Sequence, residues 1–143
     1  MPDRAVPRLT GILETSLYVE DLARSRAFYE RVFGFEPYLA EERMVGLGVP
    51  GGGVLLLFRR GGSVRPSPSP GGLIPAHDGR GTQHLCFAVP LASLEAWAEH
   101  LAACGVEIES RVSPQGHGGT SLYFRDPDGH SVEVAVPGLW PNY

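Results

Sequence analysis

The chain has 143 residues, of which 43% are hydrophobic and 20% charged, with a formal net charge of −4. That is the make-up of an ordinary soluble globular protein, long enough for one compact domain with a respectable core. All 12 basic residues are arginine and form no stripe, which argues against nucleic acid; purely apolar runs such as Val54 to Phe58 are too short to span a bilayer.

Hydrophobic periodicity sets the elements in chain order. The opening "MPDRAVPRLTG" has no apolar core of a secretory signal. Strands are predicted near residues 12–19, 36–40, 43–48 and 53–59, with a helix near 22–33. Asp21 is placed to cap that helix. Residues 59–81, "RRGGSVRPSPSPGGLIPAHDGRG", are rich in Pro, Gly and Ser and have no period. Such a segment reads as a linker, with a lid as the second reading. Further strands are predicted near 82–89, 106–110, 119–125 and 130–136, and a helix near 91–103 that stops at Gly105. Asp126-Pro127-Asp128-Gly129 has the residues of a type I turn and joins the last two strands as a hairpin. Cys86 and Cys104 make neither a disulfide framework nor a zinc knuckle, so a reducing cytoplasm is the expected compartment.

The two halves repeat a pattern. "ETSLYVEDLARSRAFYERVFGFE" from Glu14 lies over "HLCFAVPLASLEAWAEHLAACGVE" from His84. Likewise "VPGGGVLLLF" from Val49 lies over "DPDGHSVEVA" from Asp126, which sets Leu56 on Glu133. Each half reads strand, helix, three strands. The expected organisation is one domain over 1–143, with a unit at about 10–60, a linker at about 60–81, a second unit at about 82–137 and a tail at 138–143.

Alternation along strands sorts the side chains. Leu13, Leu17 and Val19, Leu85, Phe87 and Val89, and Val132, Val134 and Val136 fall on the apolar sides. Glu14, His84 and Glu133 fall on the opposite side, among Ser16, Tyr18, Cys86 and Ala135. A solvated strand carboxylate and a hydrogen-bonded core histidine are the bland readings of these residues. Two carboxylates and one imidazole on one face are also a sensible ligand set for a divalent cation. The repeat would place a fourth ligand at position 56, but Leu56 stands there, so Val54, Leu56 and Phe58 form an apolar wall. His130 has the other parity and reads as structural, Asp126 and Asp128 read as turn formers, and His77 and His117 read as exposed loop histidines. Cys86 reads as a small buried apolar residue and Trp97 as helix packing. Trp140 and Tyr143 sit in a tail that could close a pocket or a dimer contact.

The paired halves, with "LYVEDLARSRAFYERVFGFE" and "YFRDPDGHSVEV", resemble the vicinal oxygen chelate superfamily over residues 12 to 136. That group includes glyoxalase I, bleomycin-resistance proteins, extradiol dioxygenases, fosfomycin-resistance enzymes and methylmalonyl-CoA epimerase. The resemblance implies an α+β fold of two tandem βαβββ units whose curved sheets surround a cleft, and a homodimer. It also implies metal ligands at Glu14, His84 and Glu133, the same three residues as the face argument. Tyr123 occupies the place of a substrate-proximal tyrosine of fosfomycin-resistance enzymes, although their basic and potassium-loop residues have no clear counterpart here.

One histidine with two carboxylates departs from the two-His, one-carboxylate iron site of dioxygenases and favours zinc, nickel, manganese or magnesium, with iron possible. A ligating carboxylate such as Glu14 can also detach and act as a base. The expected function is a metal-dependent enzyme, of lyase, isomerase or nucleophilic-addition type, acting on a small molecule chelated through two oxygens. The alternatives are a metal-free drug-binding protein and a ring-cleaving dioxygenase.

Overall fold

The computed structural model describes residues 5–114 and 118–143, so His117 lies outside the described residues. The first half runs β1 (Glu14–Val19), α1 (Leu22–Phe33), β2 (Glu36–Ala40), β3 (Met44–Val49) and β4 (Gly53–Arg59). Two short strands follow, β5 (Ser67–Ser69) and β6 (Gly72–Ile74). The second half runs β7 (His84–Ala88), a 3₁₀ turn at Leu91–Ser93, α2 (Leu94–Ala103), β8 (Ile108–Val112), β9 (Ser121–Arg125) and β10 (Ser131–Ala135). Among the described residues no helix is long and apolar enough to cross a membrane.

The repeat read from the sequence is present in the sheets. The first has strand order β1-β4-β3-β2 and the second β7-β10-β9-β8. β1 runs parallel to β4 with Glu14 opposite Val54 and Ser16 opposite Leu56. β7 runs parallel to β10 with His84 opposite Ser131 and Cys86 opposite Glu133. Leu56 therefore holds in the first sheet the place that Glu133 holds in the second.

Helix α1 forms where the expected cap is. Asp21 has extended backbone and accepts a hydrogen bond from the Arg24 N–H at 3.0 Å. Its buried residues Ser25, Phe28, Tyr29 and Val32 follow the i, i+3, i+4, i+7 spacing of one helical face. Gly34 ends the helix in the left-handed region, with φ 67°. The second helix starts later than its apolar spacing suggests. Ser93 Oγ donates backwards to the Pro90 carbonyl at 2.7 Å and caps nothing, so the first turn is 3₁₀ and α2 begins at Leu94.

A single core joins the halves on the helix side. Leu17, Val19, Val32 and Leu57 of the first half and Leu101, Phe124, Val132 and Val134 of the second belong to one buried cluster. Phe33, at the end of α1, lies at the junction, with its ring 4.7 Å from Phe87, 5.5 Å from Trp97 and 6.1 Å from Phe124. Packing Trp97 against this aromatic group agrees with its reading as a helix-packing residue. The opposite faces of the two sheets are left free for other work.

Residues 59–81 depart from the expectation of a linker without structure. β5 and β6 pair as a small antiparallel hairpin, and the chain returns so that the His77 N–H donates to the Ser63 carbonyl at 2.9 Å. Polar anchors on the first sheet, described below, hold the segment there and offset the ordering entropy of its glycines and serines.

Candidate functional site

The turn at 126–129 decides where Glu133 and His84 stand. Gly129 N–H donates to the Asp126 carbonyl at 3.0 Å and closes the turn. Asp126 does more than form it: Oδ1 accepts from the N–H groups of Asp128 and His130, and Oδ2 from the buried Tyr29 hydroxyl at 2.9 Å. Asp128 reaches across to the first half, accepting from the Glu20 N–H at 2.8 Å and the Ser25 hydroxyl at 2.9 Å. His130 is fully buried and structural, as its parity suggests. Its Nδ1 accepts from the Gln83 N–H, so Nε2 carries the proton and donates to the Tyr18 carbonyl at 2.8 Å. With the turn fixed on both sides, β10 starts in a set register and Glu133 points to the face away from the helices.

Glu133 is 3% exposed, and its Oε1 is buried with no hydrogen-bond partner among the described residues. Its Oε2 lies 3.3 Å from His84 Nε2. His84 Nδ1 lies 3.0 Å from the Ser131 carbonyl, which can only accept, so Nδ1 carries a proton. In the neutral ring Nε2 then presents a lone pair to a carboxylate oxygen. Two acceptors at that distance call for a cation between them, either a proton on the ring or a metal ion. A histidine oriented by a backbone carbonyl through its other nitrogen is also the usual support of a metal ligand. The bland reading of Glu133 as a solvated strand carboxylate fails, because the group is buried.

Tyr123 and Cys86 stand opposite Glu133 on the two neighbouring strands. Burial, then the adjacent carboxylate, raises the Tyr123 hydroxyl above its ordinary value, so it is a proton donor at neutral pH. The Cys86 thiol is pushed up to about 12, by desolvation first and by the charge and hydrogen bonding of Glu133 next. The residue itself is exposed, which corrects its reading as a buried apolar side chain. It lines the seam where β7 meets β1.

Glu14 lies elsewhere. It is exposed on β1 and lines the seam between β1 and β7, together with Cys86, and also a cup on the face of the first sheet. Among the described residues no three His, Cys, Asp or Glu side chains stand close enough together to hold a metal ion. One chain therefore unites His84 with Glu133 and leaves Glu14 apart from them.

The cup has a volume of about 620 Å³. Its floor is Ser16, Tyr18, Leu56 and Phe58, and its rim Arg43, Met44, Ile74 and His77. Leu56 and Phe58 thus form the apolar wall expected of them. His77 is half-buried, not an exposed loop histidine: its Nδ1 is 2.7 Å from the Tyr18 hydroxyl and its ring lies edge-on to Phe58 at 4.4 Å. Parity along β1 places Tyr18 beside Glu14 and Ser16, but nothing in a periodless segment signals that His77 returns to meet it. Arg43 carried no sequence signal either. In the tail, Tyr143 donates to the Val89 carbonyl at 2.8 Å, while Trp140 is exposed.

The model of the Glyoxalase/Bleomycin resistance protein/Dioxygenase superfamily matches residues 11–134. A solved structure of lactoylglutathione lyase from Agrobacterium tumefaciens superposes with a TM-score of 0.85 and 34% identity, covering 94% of this chain and 99% of that one. Metallothiol transferase FosB of Bacillus licheniformis is 27% identical over 128 residues, spanning 89% of this chain and 75% of the relative. The fosfomycin resistance protein FosX of Listeria monocytogenes shares the fold, with a TM-score of 0.67 at 22% identity over 92% of this chain and 97% of that one. Matched along nearly its whole length, the chain belongs to the glyoxalase/bleomycin resistance protein/dioxygenase superfamily.

Proposed function

We propose that the protein is a divalent-metal-dependent enzyme that acts on a small molecule chelated through two oxygens, by lyase, isomerase or nucleophilic-addition chemistry. The observation that carries this reading is the buried, unpartnered Oε1 of Glu133, whose Oε2 lies 3.3 Å from His84 Nε2. His84, Glu133 and Glu14 would hold the ion. Because Glu14 stands apart within one chain, the reading includes a homodimer in which Glu14 of one subunit faces His84 and Glu133 of the other. When bound, the ion supplies Lewis acidity toward the substrate oxygens.

The side chains have separate tasks in this scheme. Tyr123, kept protonated, donates a hydrogen bond to a substrate oxygen. Glu14 is the candidate base. Oxygen-rich ligands favour zinc, nickel, manganese or magnesium over an iron centre that activates oxygen, and a FosX variant has been solved with Mn(II) bound. The names lactoylglutathione lyase and metallothiol transferase both contain a thiol compound, which makes thiol adducts the first substrates to try, with epoxides, α-keto compounds and catechols beside them. A cytoplasmic enzyme with two free thiols suits such chemistry.

Calorimetric titration of chelator-treated, untagged protein with Mn²⁺, Ni²⁺ and Zn²⁺ tests the reading. The wild-type protein should bind one ion per chain. Glu133→Gln and Glu14→Gln should each weaken binding by roughly tenfold or more, since each removes a charged ligand. Unchanged affinity in both variants would discard the metal centre. A metal-free protein that sequesters an apolar compound against Leu56 and Phe58 is then the remaining reading.

A further inference from the structure

The cup on the first sheet holds a guanidinium-bearing residue, Arg43, that forms no ion pair among the described residues. Arg43 stands just before β3, half-buried, and lines the cup. Its NH1 donates to Ser63 Oγ at 3.1 Å and to the Gly62 carbonyl at 3.5 Å, and its NH2 donates to Ser67 Oγ at 2.7 Å. All three acceptors are neutral. The ion pairs among the described residues use Arg24, Arg26, Arg59, Arg60, Arg111 and Arg125, and none uses Arg43. A guanidinium has five N–H donors, so at least two are left over. Taking it partly out of water without an opposite charge is costly, and an anion presented from the cup would offset that cost.

The rest of the wall says what kind of anion. Leu56, Phe58, Met44 and Ile74 give the cup an apolar lining, and Pro75 and Ala76 continue it. Tyr18 and His77, hydrogen-bonded to each other, add polar atoms at one side. Glu14 is the acidic residue of the cup. We propose that Arg43 is a specificity-determining residue that recognises a carboxylate or phosphonate on an otherwise apolar ligand, and that the serines of the 59–81 segment hold its guanidinium in place for that purpose. This assignment rests on the function proposed above and takes the cup, which Glu14 lines, as the place that receives the substrate. It names the substrate class as a small amphipathic anion.

The test uses metal-free protein and three probes of one shape: 3-phenylpropionate, 3-phenylpropylphosphonate and the neutral 3-phenylpropanamide. By calorimetry, at least one anion should bind the wild-type protein roughly tenfold more tightly than the amide, as a charge-assisted contact allows. Arg43→Met should bring that anion down to the amide's affinity while leaving the amide itself unchanged, which also shows that the cup is intact. Arg43→Lys should retain part of the preference. Whichever anion loses more in Arg43→Met identifies the group recognised. Equal affinity for amide and acids, or no effect of Arg43→Met, overturns the anion assignment alone. No binding of any probe to the wild-type protein overturns the cup as the ligand site as well.

Discussion

At the scale of single residues, the open face of the second sheet is governed by one buried carboxylate. Burial first, and Glu133 next, raise the thiol on one neighbouring strand and the phenol on the other. With its thiol at about 12, Cys86 should be alkylated slowly at pH 8 although it is exposed. In a Cys104→Ser background, the iodoacetamide rate should climb about tenfold per pH unit from pH 9 to 11. Glu133→Gln removes the charge and should speed alkylation at pH 8. A rate that levels off near pH 9 would show that Glu133 does not act on the thiol. The sign for stability follows from the same shift. Between about pH 9 and 12 the unfolded chain has released the Cys86 proton and the folded chain has kept it. Fewer protons are bound when unfolded, so this group's contribution to stability is full below pH 9 and falls as pH rises through that window.

Among the elements, the turn at 126–129 and helix α1 form a polar clamp between the halves. The Asp128 side chain is 1% exposed and meets Glu20, Ser25, Arg24 and Arg60. Asp128→Ala should cost about 3 kcal/mol, because a backbone N–H, a hydroxyl and the half-buried Arg60 all lose their acceptor. Tyr29→Phe should cost about 1–3 kcal/mol through the lost hydrogen bond to Asp126. Urea melts followed by circular dichroism measure both, and a loss under 0.5 kcal/mol in each would show that the clamp is passive. The 59–81 segment depends on a close approach. A β-carbon on Gly79 would lie 2.3 Å from the Tyr18 ring. Gly79→Ala should therefore push Tyr18 away from His77 and loosen the cup rim, seen as faster proteolysis within 59–81, while the melting temperature moves little.

Over the whole molecule, the two sheets share a core on their helix side and present separate faces on the other. Glu14 belongs to the first face and Glu133 to the second. If a dimer brings the two together, the variants Glu14→Gln and Glu133→Gln should complement each other. Each homodimer lacks a ligand in both sites, but a mixed dimer has one site with both carboxylates intact. Unfolding and refolding the two variants at equal concentration should restore about a quarter of the wild-type metal sites by random pairing. No recovery in the refolded mixture, with wild-type protein refolded in parallel as control, would rule out a site shared between subunits. A monomer mass by light scattering at micromolar concentration would argue the same way.

The sequence by itself determined the repeat, the eight strands and two helices of its two halves to within a few residues, and the side of each strand on which Glu14, His84 and Glu133 lie. Those features depend on short-range rules: a period of two along a strand, a cap at Asp21, a turn at Asp126 to Gly129. Tertiary structure decided the rest. That Glu133 is buried and one of its oxygens unpartnered follows from three strands closing around it. That Glu14 stands apart from the pair His84 and Glu133 follows from its place on β1 in the other sheet. Arg43 and His77 gained their places from contacts 19 to 59 residues distant in sequence, Gly62 to Ser67 for the one and Tyr18 for the other. A segment of Pro, Gly and Ser has no periodicity from which such contacts can be read, because side-chain anchors and not backbone preference fix its path.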